Sequence, residues 1–445
     1  MSIELVTILM FGSLFFLLLA GLPVAWACGG LAAVFIYFLL GPEHLALIAV
    51  RTYGQMAQYL LFAIPLFIFM GSMLEKTGII DEMFEMCRRW AGPLPGALAT
   101  ATVITSTLLA ACLGVIGAAV VAMGLIALPV MLKRKYNQYI ACGSVMAGGT
   151  LGILIPPSVL SIVYGLVAGE SVGKLFAGGI LPGLVLSSLF VIYITIRCVL
   201  NKELGPPLTK EERAEITWKM KFMGLLSIAF PLALIIGVMG SIFFGVTSIT
   251  EAGAVGAFGA CVAGLLKRRF TWENLKVTSY QTVKATLMVL WTMFGALALV
   301  TFYLHFGGAE FVSELIFGLE LGRYGTLALI MVILITLGMF VDWVGIIYLA
   351  VPLFLPIIKE LGFDPLWFGI IYNVNMQMSF LSPPFGYALF YLRGVVPPEI
   401  TMWTIIKSAF PFLGLQLLGL IICIAFPQIS LVLPNWLFAP GRFLH

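Results

Sequence analysis

The sequence predicts an all-α polytopic membrane protein whose two halves are inverted repeats, each with a re-entrant helical hairpin and a broken helix. Three observations lead there. Hydrophobic residues make up 61% of the 445 and charged residues only 10%, with a mean hydropathy of +1.10. A soluble domain keeps about a quarter of its residues charged to face water. Two proline frames recur at one spacing: Leu128-Pro129 and Pro156-Pro157 return 227 positions later as Leu355-Pro356 and Pro383-Pro384. Nineteen of the 24 Lys and Arg also fall in alternate loops. This composition excludes a secreted enzyme, a nucleic-acid-binding module and a disordered scaffold.

A spanning helix needs about 20 apolar residues, which puts the first spans at about 4–20 and 22–40, hinged at Gly21-Leu-Pro23. The interval with Arg51, Gln55 and Gln58 reads as a helix lying at the interface, and the next span, 59–74, stops at Glu75-Lys76. Residues 78–93 carry Asp81, Glu82, Glu85, Arg88 and Arg89 and must be near water. The apolar run from Leu94 to Leu132 is too long for one span and is interrupted at Gly114 and Gly117. It reads as two spans, or as a hairpin that enters and leaves on one side. Residues 138–168 form a span broken at Gly148-Gly-Thr-Leu-Gly152 and Pro156-Pro157, and 175–197 closes this half.

A polar linker, 198–221, carries Lys202, Lys210, Glu211, Glu212, Arg213, Lys219 and Lys221. The plan then repeats: spans at 222–242 and 248–266, a basic interfacial segment at 267–284, and a span at 285–303. A polar stretch to Arg323, a second interrupted run at 325–357, a second broken span at 366–396 and a last span at 403–426 complete the chain. Under the same offset Tyr136 meets Phe363 and Asn137 meets Asp364.

Charge orients the halves. With each interrupted run as a hairpin, each half crosses the membrane five times, so the second half starts on the opposite side and the repeats are inverted. With the N-terminus outside, intervals 75–93, 133–137, 197–221, 267–284 and 393–407 are cytoplasmic and hold the nineteen basic residues. The outside keeps Arg51, Lys174, Arg323, Lys359 and Arg442, as the positive-inside rule requires. The start, Met1-Ser-Ile-Glu, lacks the basic segment of a cleavable signal, so the first apolar stretch is expected to remain as a helix. Seven scattered Cys without a CxxC pair and three separated His suggest neither disulfides nor a metal centre.

Breaks at membrane depth free backbone groups that lipid cannot satisfy, so they are tolerated where they line a site. Matched breaks in inverted halves point to a secondary transporter's binding site. Unwound carbonyls there can coordinate a small cation, and half-helix N-termini can face an anion.

Particular motifs carry a resemblance. GGTLGILIPPS (148–158), GKLFAGGILPG (173–183), SITEAGAVGA (248–257), GMFVDWVGI (338–346), LPIIKELGFDPLWFG (355–369) and FLSPPFG (380–386) resemble the large, DctM-like membrane subunit of TRAP (tripartite ATP-independent periplasmic) transporters. The likeness runs from about residue 5 to 430, nearly the full predicted array of spans. FYLRGVVPPE (390–399) resembles one subgroup of the family.

The resemblance implies a scaffold (1–77 and 222–304) and a mobile elevator domain (78–197 and 305–445) with two hairpins, the linker 198–221 being cytoplasmic. It implies sodium-coupled uptake of a small organic anion, a carboxylate or sulfonate, across a bacterial inner membrane. It also implies two partners: a small, DctQ-like membrane subunit and a periplasmic, DctP-like substrate-binding protein. No cofactor is expected beyond sodium as the coupling ion. The partner's four short spans would not fit in 445 residues beside this array.

In many family members the first hairpin tip has hydroxyls that help bind sodium. Here the region reads Gly114-Val-Ile-Gly117-Ala-Ala119, without one. A sodium site there relies on backbone carbonyls, with Thr150 as the nearby hydroxyl and Gly149 and Gly152 beside it. The second tip keeps Asp342, a carboxylate within an apolar run, for which function is the default reading. A helix-capping Asp is the alternative. Ser379 and Ser382 are its expected oxygen donors.

For the substrate, Ser158, Asn373, Asn375, Gln377 and Arg393 are the candidates. The Arg393 guanidinium either grips an anion bidentately or reaches the interface from a helix end. Asn373 and Gln377 share a helix face and either line the path or cement packing. Glu251 reads as a helix N-terminal stabiliser. A stand-alone sodium/carboxylate carrier of the same plan is the alternative function. An intramembrane enzyme lacks a nucleophile–base pair, and a channel lacks a polar face or ring.

Overall fold

In the computed structural model, residues 1–114, 116–207 and 216–439 are described. The expected Lys210, Glu211, Glu212, Arg213 and Arg442 lie outside them. Among the described residues every regular element is helical. Eight helices among the described residues are long and apolar enough to cross a membrane.

The first half runs α1 (Ile3–Leu19), α2 (Val24–Leu39), α3 (Ala46–Met56), α4 (Ala63–Lys76), α5 (Ile79–Ala91), α6 (Ala97–Leu113), α7 (Ile116–Lys133), α8 (Gln138–Thr150), α9 (Val159–Ala168) and α10 (Val172–Leu200). The second runs α11 (Trp218–Phe243), α12 (Ile249–Leu266), α13 (Trp272–His305), α14 (Gly308–Phe317), α15 (Gly322–Gly338), α16 (Trp343–Glu360), α17 (Pro365–Leu381), α18 (Tyr387–Arg393), α19 (Met402–Ala425) and α20 (Gln428–Leu437).

The spacing of 227 holds at element ends as well as at prolines. The helices α7 and α16, each of 18 residues, are displaced by 227 at both ends, and α8 and α17 start 227 apart. The cap chemistry repeats too. Asn137 caps α8 by accepting from Tyr139 N–H, and Asp364 caps α17 by accepting from Leu366 and Trp367 N–H. Short oxygen-bearing side chains at this position satisfy the helix's free donors. Both Pro–Pro bonds in the two breaks are cis.

Each interrupted run returns to the end it came from. At the first, Gly96 N–H donates to Gly205 O at 2.9 Å and Asn137 N–H donates to Leu204 O at 3.0 Å, so both ends meet one loop. At the second, Arg323 Nη2 donates to Gly362 O at 2.9 Å. The arms are α6 with α7 and α15 with α16.

Two differences from expectation have physical reasons. The segment 267–284 is not a separate interfacial piece: from Trp272 it is continuous with the following span as α13, 34 residues long. At 1.5 Å per residue that helix is about 51 Å long against an apolar layer of about 30 Å, so one end extends past the lipid core. No Pro or Gly interrupts 272–294, and Thr271 caps the start. The corresponding stretch of the first half is divided into α3 and α4 by a 3₁₀ turn at Tyr59–Phe62. An extra helix, α20, follows the last span; Phe426-Pro427 separates it from α19.

Glu251 does stabilise a helix start. Its Oε2 accepts from Ser248 N–H at 2.7 Å while Ser248 Oγ accepts from Glu251 N–H, a reciprocal cap. The amphipathic α5 ties its charges together: Arg88 and Arg89 both grip Glu85, and Lys267 reaches Glu82 at 2.5 Å.

Candidate binding site between the hairpin tips

The first hairpin turns at Gly114, with a left-handed φ of 59°. A Cβ there would also stand 2.7 Å from the Pro157 carbonyl oxygen, so conformation and space both demand glycine. The tip therefore stops at the break of the neighbouring span. One turn on, a Cβ at Gly117 would meet the Tyr391 ring at 3.0 Å. The first tip thus touches the first break at Pro157 and the second break's helix α18.

At the second tip, Asp342 caps α16: its Oδ2 accepts from Val344 N–H at 3.3 Å. The residue is 4% exposed, and among the described residues no Lys or Arg pairs with it. Capping is therefore observed, but one backbone bond does not neutralise a buried carboxylate, which calls for a cation or a proton. Ser379 and Ser382 do not bond to it. Ser382 Oγ donates to Met378 O at 2.8 Å, one turn back on its own helix, and Ser379 Oγ faces Ile335 O at 3.5 Å.

In the first break, Ser158 caps α9, accepting from Ser161 N–H at 3.3 Å and donating to Ile153 O across the unwound turn. Gly149 seats α8 on α7: a Cβ there would collide with Val120 Cγ2 and lie 3.2 Å from Val120 N. Gly152 is buried in the 3₁₀ turn that follows.

The three amides of α17 are fully buried. Asn373 Nδ2 donates to Ser161 Oγ at 2.8 Å, and Asn375 Nδ2 donates to Met331 O at 3.2 Å. Gln377 Oε1 lies 3.3 Å from the Thr150 hydroxyl, and Gln416 Nε2 donates to that hydroxyl at 3.1 Å. Thr150 and Gln377 are 227 positions apart, so equivalent residues of the two halves touch one another at the centre. Asn373 Oδ1, Asn375 Oδ1, Gln377 Nε2 and Gln416 Oε1 keep unsatisfied polar atoms there.

One cleft collects the tips. Gly114, Gly117 and Asp342 line it together with Tyr387 and Tyr391 of α18 and Val159 of α9. Its opposite wall is Ile68 of α4 with Ala285, Met288 and Val289 of α13. It adjoins a second recess at Asp342, Met288 and Tyr387 that reaches the stacked pair Trp26 and Trp291. Helix ends converge here with both polarities, the carbonyl end of α6 and the N–H ends of α7, α9 and α16. Such ends attract a cation and an anion respectively.

Arg393 stands outside this group. It ends α18, and its Nη1 donates to Ile400 O at 2.5 Å, closing the following turn. Sequence reasoning missed Gln416, Ser161 and Ser106. Gln416 was legible as a lone amide in the last apolar span. Ser106 is buried with an unsatisfied Oγ, against the face where Gly148 lacks a side chain. Only the packing of α6 on α8 reveals it. Among the described residues no group of three His, Cys, Asp or Glu forms a metal cluster.

The profile described as "Tripartite ATP-independent periplasmic transporter, DctM component" matches residues 11–429. The chain belongs to this family. It is 32% identical over 413 residues to the C4-dicarboxylate TRAP transporter large permease protein DctM of Pseudomonas aeruginosa, covering 92% of this chain and 94% of that one. It is 29% identical over 428 residues to the isethionate TRAP transporter permease protein DctMQ of Oleidesulfovibrio alaskensis, covering 95% of this chain and 65% of that relative. The ectoine TRAP transporter large permease protein TeaC of Halomonas elongata is 30% identical over 384 residues, covering 85% and 87%. Among solved structures, the YdaH transporter of Alcanivorax borkumensis superposes with a TM-score of 0.63 at 14% identity, covering 94% of this chain and 99% of that one. That likeness concerns the fold alone. The TRAP permease assignment makes the chain a membrane transport component, and the site is accordingly read as one for binding and release.

Proposed function

We propose that this TRAP large permease imports a small organic anion, a carboxylate or sulfonate, with sodium as the coupling ion and an elevator-type movement. In this reading the protein sits in a bacterial inner membrane with its N-terminus periplasmic. It works with a small DctQ-like membrane subunit and a DctP-like periplasmic binding protein. The relatives that transport C4-dicarboxylates and isethionate support the substrate class, and the DctMQ relative supports the small partner.

The observation that carries the reading is Asp342: a buried carboxylate without a basic partner, in the cleft where both tips meet. Sodium at the tips would take oxygen from Asp342 and from the backbone around Gly114, Gly117, Gly149, Thr150 and Gly152; Ser379 and Ser382 would join only by giving up their bonds to helix carbonyls. The anion would then face the helix N-termini and Ser158, with the α17 amides behind. The apolar wall of Ile68, Ala285, Met288 and Val289 supports sliding, because no ion pair has to break as the hairpins pass it.

The test is uptake into proteoliposomes under an inward sodium gradient, with and without the small subunit and binding protein. Sodium-dependent uptake that needs both partners is expected, and uptake by this chain alone would establish the stand-alone carrier instead. Asp342→Asn is expected to abolish the sodium dependence; a variant with the wild-type dependence removes Asp342 from the ion site.

A further inference from the structure

At the end of the bundle where α8 begins, α10 ends and α19 begins, Arg197 and Lys407 face one pocket. The loops that close this end are joined by the bond from Asn137 N–H to Leu204 O; they carry Arg134, Lys135 and Lys202, and Lys133 ends α7 beside them. Neither the Arg197 guanidinium nor the Lys407 ammonium has an ion pair or hydrogen bond among the described residues; Lys407 lies over the Trp403 ring at 5.3 Å. Trp403 is 62% exposed, as expected of a side chain at the lipid–water boundary. The pocket therefore sits at headgroup depth.

Its chemistry changes from one side to the other. One side has the two cations and the Asn137 side chain, whereas the buried Phe412 and the half-buried Tyr193 form the other, with the exposed Pro411 at its edge. Phe412 packs edge-on against Tyr193 at 5.5 Å, which makes that wall continuous. A free inorganic anion would use the basic side and leave the aromatic wall without a partner. A molecule with a phosphate at one end and hydrocarbon at the other uses both. Basic recesses between spanning helices suit anionic headgroups for this reason.

We propose that this pocket binds one anionic phospholipid from the leaflet at the basic end, with its phosphate between Arg197 and Lys407 and the start of an acyl chain against Tyr193 and Phe412. The site is separate from the cleft at the hairpin tips and does not depend on what is transported.

Native mass spectrometry of the full chain in neutral detergent tests this, with phosphatidylglycerol, phosphatidylcholine or inorganic phosphate added. One phosphatidylglycerol should be retained in preference to phosphatidylcholine, and millimolar phosphate should not displace it. Arg197→Ala and Lys407→Ala should each weaken retention about fivefold, the pair more, from roughly one unit of surface attraction per cation. Lys276→Ala, a basic residue elsewhere, should leave it unchanged. Equal retention of the two lipids, displacement by phosphate, or full retention by the double variant would each overturn the proposal. The lipid comparison on the native chain decides even if a variant fails to fold.

Discussion

Thr150→Val removes one hydroxyl at the centre of the molecule and changes little else in side-chain shape. That hydroxyl accepts from Gln416 Nε2 at 3.1 Å, donates to Ala147 O at 2.8 Å and lies 3.3 Å from Gln377 Oε1. Gln416 Oε1 and Gln377 Nε2 have no partners already, so the substitution leaves two buried amides without their side-chain bonds. Interhelical hydrogen bonds in membrane proteins average about 0.6 kcal/mol, so two lost bonds amount to about 1.2 kcal/mol. An orphaned buried donor moves the total toward the upper part of a range of about 1–3 kcal/mol. Thr150→Ser, which keeps the hydroxyl, should lose less.

The assay is reversible unfolding in mixed micelles, arranged as a double-mutant cycle with Gln416→Leu. If the two residues act through one bond, the double variant loses less than the sum of the singles, with a coupling of at least about 0.5 kcal/mol. Additivity within about 0.3 kcal/mol, or a neutral Thr150→Val, would refute the claim that this contact ties the halves together.

Other outcomes follow from the same packing. Gly149→Ala should destabilise by about 1–3 kcal/mol, because its new Cβ meets the Val120 backbone as well as its side chain. Gly30→Ala, with open space around it, should be neutral or gain up to about 1 kcal/mol from helix propensity; thermal melts of the two variants compare them directly. Burial alone would raise the Glu85 carboxyl, but the bonds from Arg88 and Arg89 outweigh it and hold it below the ordinary value of 4.5. Its contribution is therefore present above that value and is lost as pH falls below it toward the folded-state pKa. Melting temperatures between pH 7 and pH 4 should fall more steeply for the native chain than for Glu85→Gln, and parallel curves would contradict this. Lys267→Ala removes the partly exposed pair with Glu82 and should lower stability by at most about 1 kcal/mol, an effect that salt diminishes.

Much of the fold was legible because lipid enforces simple rules. Hydropathy placed the spans, and most helices end within a few residues of the expected limits. The exception, α13, was misread because Lys276 and Lys284 looked like interfacial residues, whereas a helix longer than the apolar layer can carry charges on its projecting end. The 227-residue spacing between proline pairs anticipated helices α7 and α16 and the paired caps Asn137 and Asp364. The site was less legible. Asp342 stood out as a charge at depth, but its expected partners Ser379 and Ser382 bond to helix carbonyls, and a sequence pattern does not show which acceptor a hydroxyl chooses.

The sequence by itself determined the solvent, the helical class, the repeat and the location of the breaks. Each follows from local composition or from spacing along the chain: apolar runs must cross lipid, and Pro and Gly must interrupt them. Tertiary structure alone decided which breaks meet. It set Thr150 beside Gln377, aimed Gln416 at the Thr150 hydroxyl, put the first tip against Pro157 and Tyr391, and kept Arg393 at a turn. The reason is physical: contacts between residues more than two hundred positions apart depend on how helices pack, and no period in one dimension encodes that.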